Sequence, residues 1–270
     1  MANCFIRMGK LQSHERDIFN LAKVFSEYLN SLCASLRKVL YKKHMSLSFF
    51  DAIKQGNRHE VERQLIVDPS LIHVREEGLS PILIAAYHGQ PEIASFLADK
   101  TVALTIFEAA ATGKINNILR LLARDPQLVN AYAEDGFQPL GLASYFGHLD
   151  SAEYLIKAGA PINSPSRNEL KATPLQSAAA AGHVKIVEML IKNRADPNVQ
   201  EQGGYTPLHA AAQNGDLAMI RALLYGGADL IMRSDDGKTP LDLALEAGHT
   251  EAAKFLQEGI TKRFKPKLDK

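Results

Sequence analysis

Three segments of the chain restart with Thr-Pro-Leu, at Thr173, Thr206 and Thr239, and the interval is 33 residues both times. A fixed period of that length means one supersecondary unit copied side by side, each copy too small to bury its apolar face alone. After each Pro comes an Ala-rich stretch, then a Gly eight residues on: Gly182, Gly215 and Gly248. Degenerate copies run backwards through Pro139 to Gly147 and Pro81 to Gly89, with weaker ones ending at Gly113 and Gly56. Thr before Pro suits a helix start, because the hydroxyl accepts a free backbone N–H and Pro at the first helical position loses no hydrogen bond. Small residues such as Ala210-Ala211-Ala212 favour helix and let neighbours approach closely, and the Gly is placed to end the helix at positive φ.

A second helix follows in each copy, with apolar residues at helical spacing: Val184, Val187, Leu190 and Ile191, or Leu217, Ile220, Leu223 and Leu224. It closes with Gly159-Ala160 and Gly227-Ala228. Arg194 holds the matching Gly position between them, where strain or an altered helix end is expected. Thr206-Pro207-Leu208-His209-Ala210-Ala211 and Gly227-Ala228-Asp229 resemble the motif of the ankyrin-repeat family. The resemblance implies an all-α solenoid of about seven helix pairs with short hairpin fingers, over residues 46–259.

Three departures from the pattern carry structural expectations. Gly89 to Gly113 is 24 residues, too few for the joining hairpin, so the row of fingers should have a gap and interrupted contacts there. Pro139 to Pro174 is 35 residues, which adds two within Ser164–Lys171 and predicts a longer or looser finger. Asp68-Pro69 and Asp125-Pro126 replace the Gly-Ala ending and predict a longer turn.

Residues 1–45 form an extension in which Ile18, Leu21, Phe25, Leu29, Leu32 and Leu36 give residues 15–41 the stripe of an amphipathic helix. Its expected role is to cap the first repeat, although translation starting at Met45 would make it dispensable. Of 31 basic and 30 acidic groups, residues 1–45 hold 8 and 3 and residues 254–270 hold 6 and 2. The body is left with 17 against 25, a charge of about −8 that argues against a nucleic-acid-binding core surface. The basic ends, including Lys262-Arg263-Phe264-Lys265-Pro266-Lys267 around the expected tail at 260–270, form the alternative: an adaptor tethered to anionic membrane or nucleic acid. The two cysteines, Cys4 and Cys33, exclude a disulfide framework and suit a reducing cytoplasm. There is no run of eighteen apolar residues and no secretion signal at the start.

Candidate chemistry is sparse, and no cofactor is expected. His148, His183, His209 and His249 recur at fixed places. On successive repeats they stand on the order of 10 Å apart, too far to share an ion, and the resemblance implies structural hydrogen bonds to adjacent loops instead. His59-Glu60-Val61-Glu62-Arg63 lacks the second His of a zinc-protease helix, and neither a phosphate loop nor a Gly-x-Ser-x-Gly elbow is present. Cys33 has no evident His partner. Glu76-Glu77, Glu134-Asp135 and Asp235-Asp236 each precede a Gly and read as hairpin turns. The expected class is a non-enzymatic module.

In ankyrin proteins the hairpin tips and the exposed side of each first helix make a concave surface that contacts the partner. Carried over, that surface comprises Tyr87-His88, Tyr145-Phe146 and Gln213-Asn214 on first helices. Phe137 and Tyr205 stand on fingers, beside Leu79 and Lys238, and Tyr132 and Arg233 flank them. Five aromatics on one face, Tyr87, Phe137, Tyr145, Phe146 and Tyr205, suit recognition of a protein or peptide by a monomeric scaffold or regulator. The competing role for some of them is to pack across the shortened finger or under the enlarged loop.

Overall fold

The computed structural model describes residues 45–46 and 48–264. The stripe at 15–41, both cysteines and residues 265–270 lie outside the described residues.

Among the described residues seven antiparallel helix pairs stand side by side, and their apolar faces join in one cluster reaching from Phe49 to Leu256. The inner helices are α1 (residues 48–54), α3 (Pro81–Tyr87), α5 (Ile106–Ala111), α7 (Pro139–Tyr145), α9 (Pro174–Ala180), α11 (Pro207–Gln213) and α13 (Pro240–Glu246). Their outer partners are α2 (Arg58–Val67), α4 (Pro91–Lys100), α6 (Ile115–Arg124), α8 (Leu149–Lys157), α10 (Val184–Lys192), α12 (Leu217–Tyr225) and α14 (Thr250–Phe264). The last helix runs past residue 259 to Phe264, and Arg263 in its last turn pairs with Asp229 at 2.5 Å.

Four inner helices, α5, α9, α11 and α13, start on a reciprocal cap, and in α9 and α11 that cap also reaches the next repeat. Gln176 Oε1 accepts from Thr173 N at 2.8 Å while Thr173 Oγ1 accepts from Gln176 N at 3.3 Å. The amide of Gln176 then donates to the Val199 and Tyr205 carbonyls on the following finger. His209 does the same work: Nδ1 accepts from Thr206 N at 3.1 Å, and Nε2 donates to the Lys238 carbonyl at 3.1 Å. That pair of bonds needs the neutral ring with its proton on Nε2. Glu108 and Asp242 take the same place at Thr105 and Thr239.

The helix-ending glycines have positive φ, 82° at Gly147, where an added Cβ would lie 2.6 Å from the His183 ring. His183 Nε2 donates to the Tyr145 carbonyl at 2.9 Å, and His148 Nε2 to the Ala111 carbonyl at 3.0 Å. These histidines therefore bind backbone of the preceding repeat, as the resemblance implied. On the outer side Asn198 Oδ1 accepts from Asp229 N at 2.8 Å, and Asn163 Oδ1 from Asp196 N at 2.9 Å.

Arg194 is held at φ 69°, where its neighbours in the pattern, Gly159 and Gly227, sit at 94° and 91°. The two Asp-Pro junctions differ from the longer turn expected. Each is a short 3-10 helix, Pro69–His73 and Pro126–Asn130. The Asp carboxylate accepts from the backbone N–H two residues on, at 2.9 Å for Ser70 and 3.0 Å for Gln127. Pro presets the backbone angle and the Asp supplies the cap, so the chain tightens instead of looping out.

Replacing Arg194 by Gly relieves left-handed strain at an exposed position and should stabilise the array by about 1 kcal/mol. A higher urea midpoint at unchanged slope is the expected readout; a lower midpoint contradicts it. Burial holds His148 and His209 below their ordinary value of 6.5. Below pH 6.5 the unfolded chain therefore binds more protons than the folded one, and stability falls as pH drops through the folded values. The urea midpoint should decline from pH 7 to pH 5, and His209→Gln, which reproduces the Gln176 arrangement, should lessen that decline. An identical decline in this variant would show that His209 does not contribute.

Candidate functional site

The site is organised by the hairpin that is missing. Between α4 and α5 the chain crosses in residues 101–105 alone, with Thr101 Oγ1 donating to the Leu97 carbonyl at 2.8 Å and Leu104 buried. The expected gap in the finger row is there, but its neighbours close over it. The finger at 74–80 and the finger at 131–138 come so near that a Cβ on Gly78 would lie 2.0 Å from Glu134 Oε2. Tyr87, at the end of α3, reaches across the intervening repeat and donates to Asp135 Oδ2 at 2.7 Å. Burial first, then the Asp135 charge, pushes the Tyr87 phenol above its ordinary range. Its hydroxyl is accordingly a permanent donor.

Around that bond three rings from two repeats meet. Tyr87 lies 5.2 Å from Phe146 and 6.3 Å from Tyr145 between centroids. Tyr145 meets Phe146 edge-on at 5.1 Å and 86°, a favoured aromatic geometry. Phe146 packs against the core and helps wall a cavity of about 290 Å3 with Ala86, Ala111 and His148. Tyr145 is the open member, 41% exposed. The packing role weighed for some of these aromatics is thus the arrangement of Tyr87 and Phe146, whereas Tyr145 keeps a free face.

The enlarged finger is longer, as the spacing predicts, yet it is braced. Ser166 N donates to the Ala172 carbonyl at 2.9 Å, and Ser166 Oγ donates to Asn168 Oδ1 at 2.7 Å. Asn168 Nδ2 donates to the Asp135 carbonyl at 2.8 Å, and Arg167 N to the Gly136 carbonyl at 2.8 Å. Tyr132 lies under this loop, its hydroxyl 2.9 Å from Ser164 Oγ and its ring covered by the Arg167 guanidinium at 3.8 Å. Phe137 packs half-buried onto the core beside it.

The remaining candidates stand apart from this cluster. Tyr205 meets His209 edge-on at 5.7 Å, and its carbonyl accepts from Glu201 N. Gln213 and Asn214 are exposed at the end of α11, His88 is exposed beside Tyr87, and Arg233 is exposed with Nη1 donating to the Gly237 carbonyl. Asp235 N donates to the Gly203 carbonyl at 2.8 Å, so these later fingers are stitched as well. The reading of the sequence missed Asp135 and Arg167, which fix the cluster. Asp135 was visible only as a turn residue, and nothing local marks a partner 48 residues away. Among the described residues no group of three or more His, Cys, Asp or Glu could hold a metal ion, and no helix is long and apolar enough to cross a membrane.

Comparison with known proteins matches the family model of ankyrin repeats (three copies) to residues 49–166, 106–201 and 175–265. The palmitoyltransferase AKR1 of Kluyveromyces lactis is 28% identical over 160 residues, 58% of this chain and 21% of that protein. The target of rapamycin complex 2 subunit AVO2 of Saccharomyces cerevisiae is 30% identical over 179 residues, 60% of this chain and 42% of that protein. Inversin of Gallus gallus is 32% identical over 106 residues, 39% and 9% of the two chains. The chain thus spans less than half the length of each of these relatives.

The packing ranks the three rings by their structural cost. Tyr145→Ala should shift stability by no more than ~0.5 kcal/mol, Tyr87→Phe by about 1 and Phe146→Ala by about 2 kcal/mol. Urea unfolding of the three variants checks the order; a Phe146→Ala protein as stable as Tyr145→Ala would contradict the packing described.

Proposed function

Because the chain belongs to the ankyrin-repeat family, whose repeats are protein-interaction units, we propose that it is a non-enzymatic scaffold or regulator holding a protein or peptide against its inner face. The observation that carries this reading is the Tyr145 ring, 41% exposed and held from behind by Tyr87 and Phe146. A large aromatic already locked in place loses little freedom on binding, and such anchors dominate interface energies. Tyr132, Phe137, Tyr205, His88, Gln213, Asn214 and Arg233 extend the proposed contact surface along the fingers and inner helices. No cofactor is required, since complementarity alone does the work.

In this reading the protein acts as a monomer in the reducing cytoplasm, in keeping with two cysteines in 270 residues. The activity in the name of the Kluyveromyces relative belongs to that protein, of which a fifth aligns with this chain. The proposal for this chain is binding without turnover.

Affinity capture with the intact protein, with Tyr145→Ala and with Tyr225→Ala separates the two faces, because Tyr225 is 94% exposed on the outer helix α12. Partners should be retained by Tyr225→Ala. Tyr145→Ala should lose about 2 kcal/mol, roughly thirty-fold in Kd. Partners lost only with Tyr225→Ala would move recognition to the outer face and overturn the reading.

A further inference from the structure

Between the outer helices α2 and α4 lies an apolar groove of about 500 Å3. Leu65, Ile66, Pro69, Ile72 and Phe96 line it, with Glu62 and Lys100 among its walls. Ile66 is 82% exposed, and Val67 next to it 59%. Val102, two residues beyond Lys100, is 99% exposed. Ile66 thus stands bare on the lining of an apolar groove, which marks a surface that has something to cover it.

The chain enters the array beside this groove. Gln64 Nε2 donates to Ser48 Oγ at 3.1 Å, which sets the start of α1 against the last turns of α2, the helix that supplies Leu65 and Ile66. Met45, three residues before Ser48, packs on the core. The 44 residues before it carry Leu29, Leu32 and Leu36 at helical spacing. Eight residues lie between Leu36 and Met45, enough to span up to about 30 Å when extended, against a helix diameter of about 10 Å.

We infer that this groove is occupied by the chain's own residues 29–36, which seat Leu29, Leu32 and Leu36 against Ile66, Ile72 and Phe96. Tethering decides between this occupant and a foreign one. A segment joined by a short linker is presented at an effective concentration on the order of millimolar, which a free partner or second copy at cellular concentration does not match. The inference is independent of the inner-face reading, because it concerns the outer helices alone.

Cys33 falls inside the proposed segment and makes a direct test possible in the full-length protein. In a Cys4→Ser background, Ile66→Cys is treated with a short bismaleimide and compared with Tyr225→Cys, which places the new thiol in the corresponding groove between α10 and α12. Both positions are exposed, so neither change disturbs the core. The expected result is an intramolecular cross-link from Cys33 to position 66 on monomeric protein, in several-fold greater yield than to position 225. Leu29→Asp combined with Leu32→Asp should bring it down to the level of the position-225 control. Equal yields at the two positions overturn the inference. Cross-linked dimers in place of monomers also overturn it and assign the groove to a second copy.

Discussion

A seven-residue helix has no stability of its own in water, and five inner helices of this array are that short. Each exists because its sides are covered by neighbours, and four of them, α3, α9, α11 and α13, are also capped at the start. The caps do both at once. The residue three places into the helix satisfies the Thr backbone, and Gln176 and His209 also donate to the following finger. At the far ends of α5 and α7 the next histidine, His148 or His183, covers Gly113 or Gly147 and donates to a backbone carbonyl of the preceding repeat. Stability is therefore a property of adjacency, and the rigidity of the inner face follows from it.

The absent hairpin between α4 and α5 is where this adjacency would fail, and the molecule answers with side chains. Glu134 fills the space beside Gly78, Tyr87 spans to Asp135, and the rings of α3 and α7 close over α5. The enlarged finger is tied to the same turn through Asn168 and Arg167. Structural demand and proposed recognition thus meet at one spot, for the packing that bridges the gap also leaves Tyr145 fixed and open.

How much of this could be read from residues alone depends on the range of the interaction. Thr173, Thr206 and Thr239 with their glycines announced α9, α11 and α13, and Arg194 announced a left-handed residue, because these signals act within one helix. The 24-residue interval announced a lost hairpin. It could not announce the closure, since Tyr87 and Asp135 are 48 residues apart and only the stacking brings them together. The added residues at 164–171 read as slack for the same reason: their order comes from Asp135 and Gly136 on another finger. Asp68 and Asp125 were visible as turn formers, while the tight 3-10 geometry depends on each carboxylate capping its own turn.

Hydrogen exchange on the protein with and without its captured partner tests the central claim most directly. The account predicts new protection along the fingers at 131–138 and 161–173 and at the end of α7, with the outer helices α8, α10 and α12 unchanged. Protection confined to those outer helices, with the finger row unaffected, would contradict it.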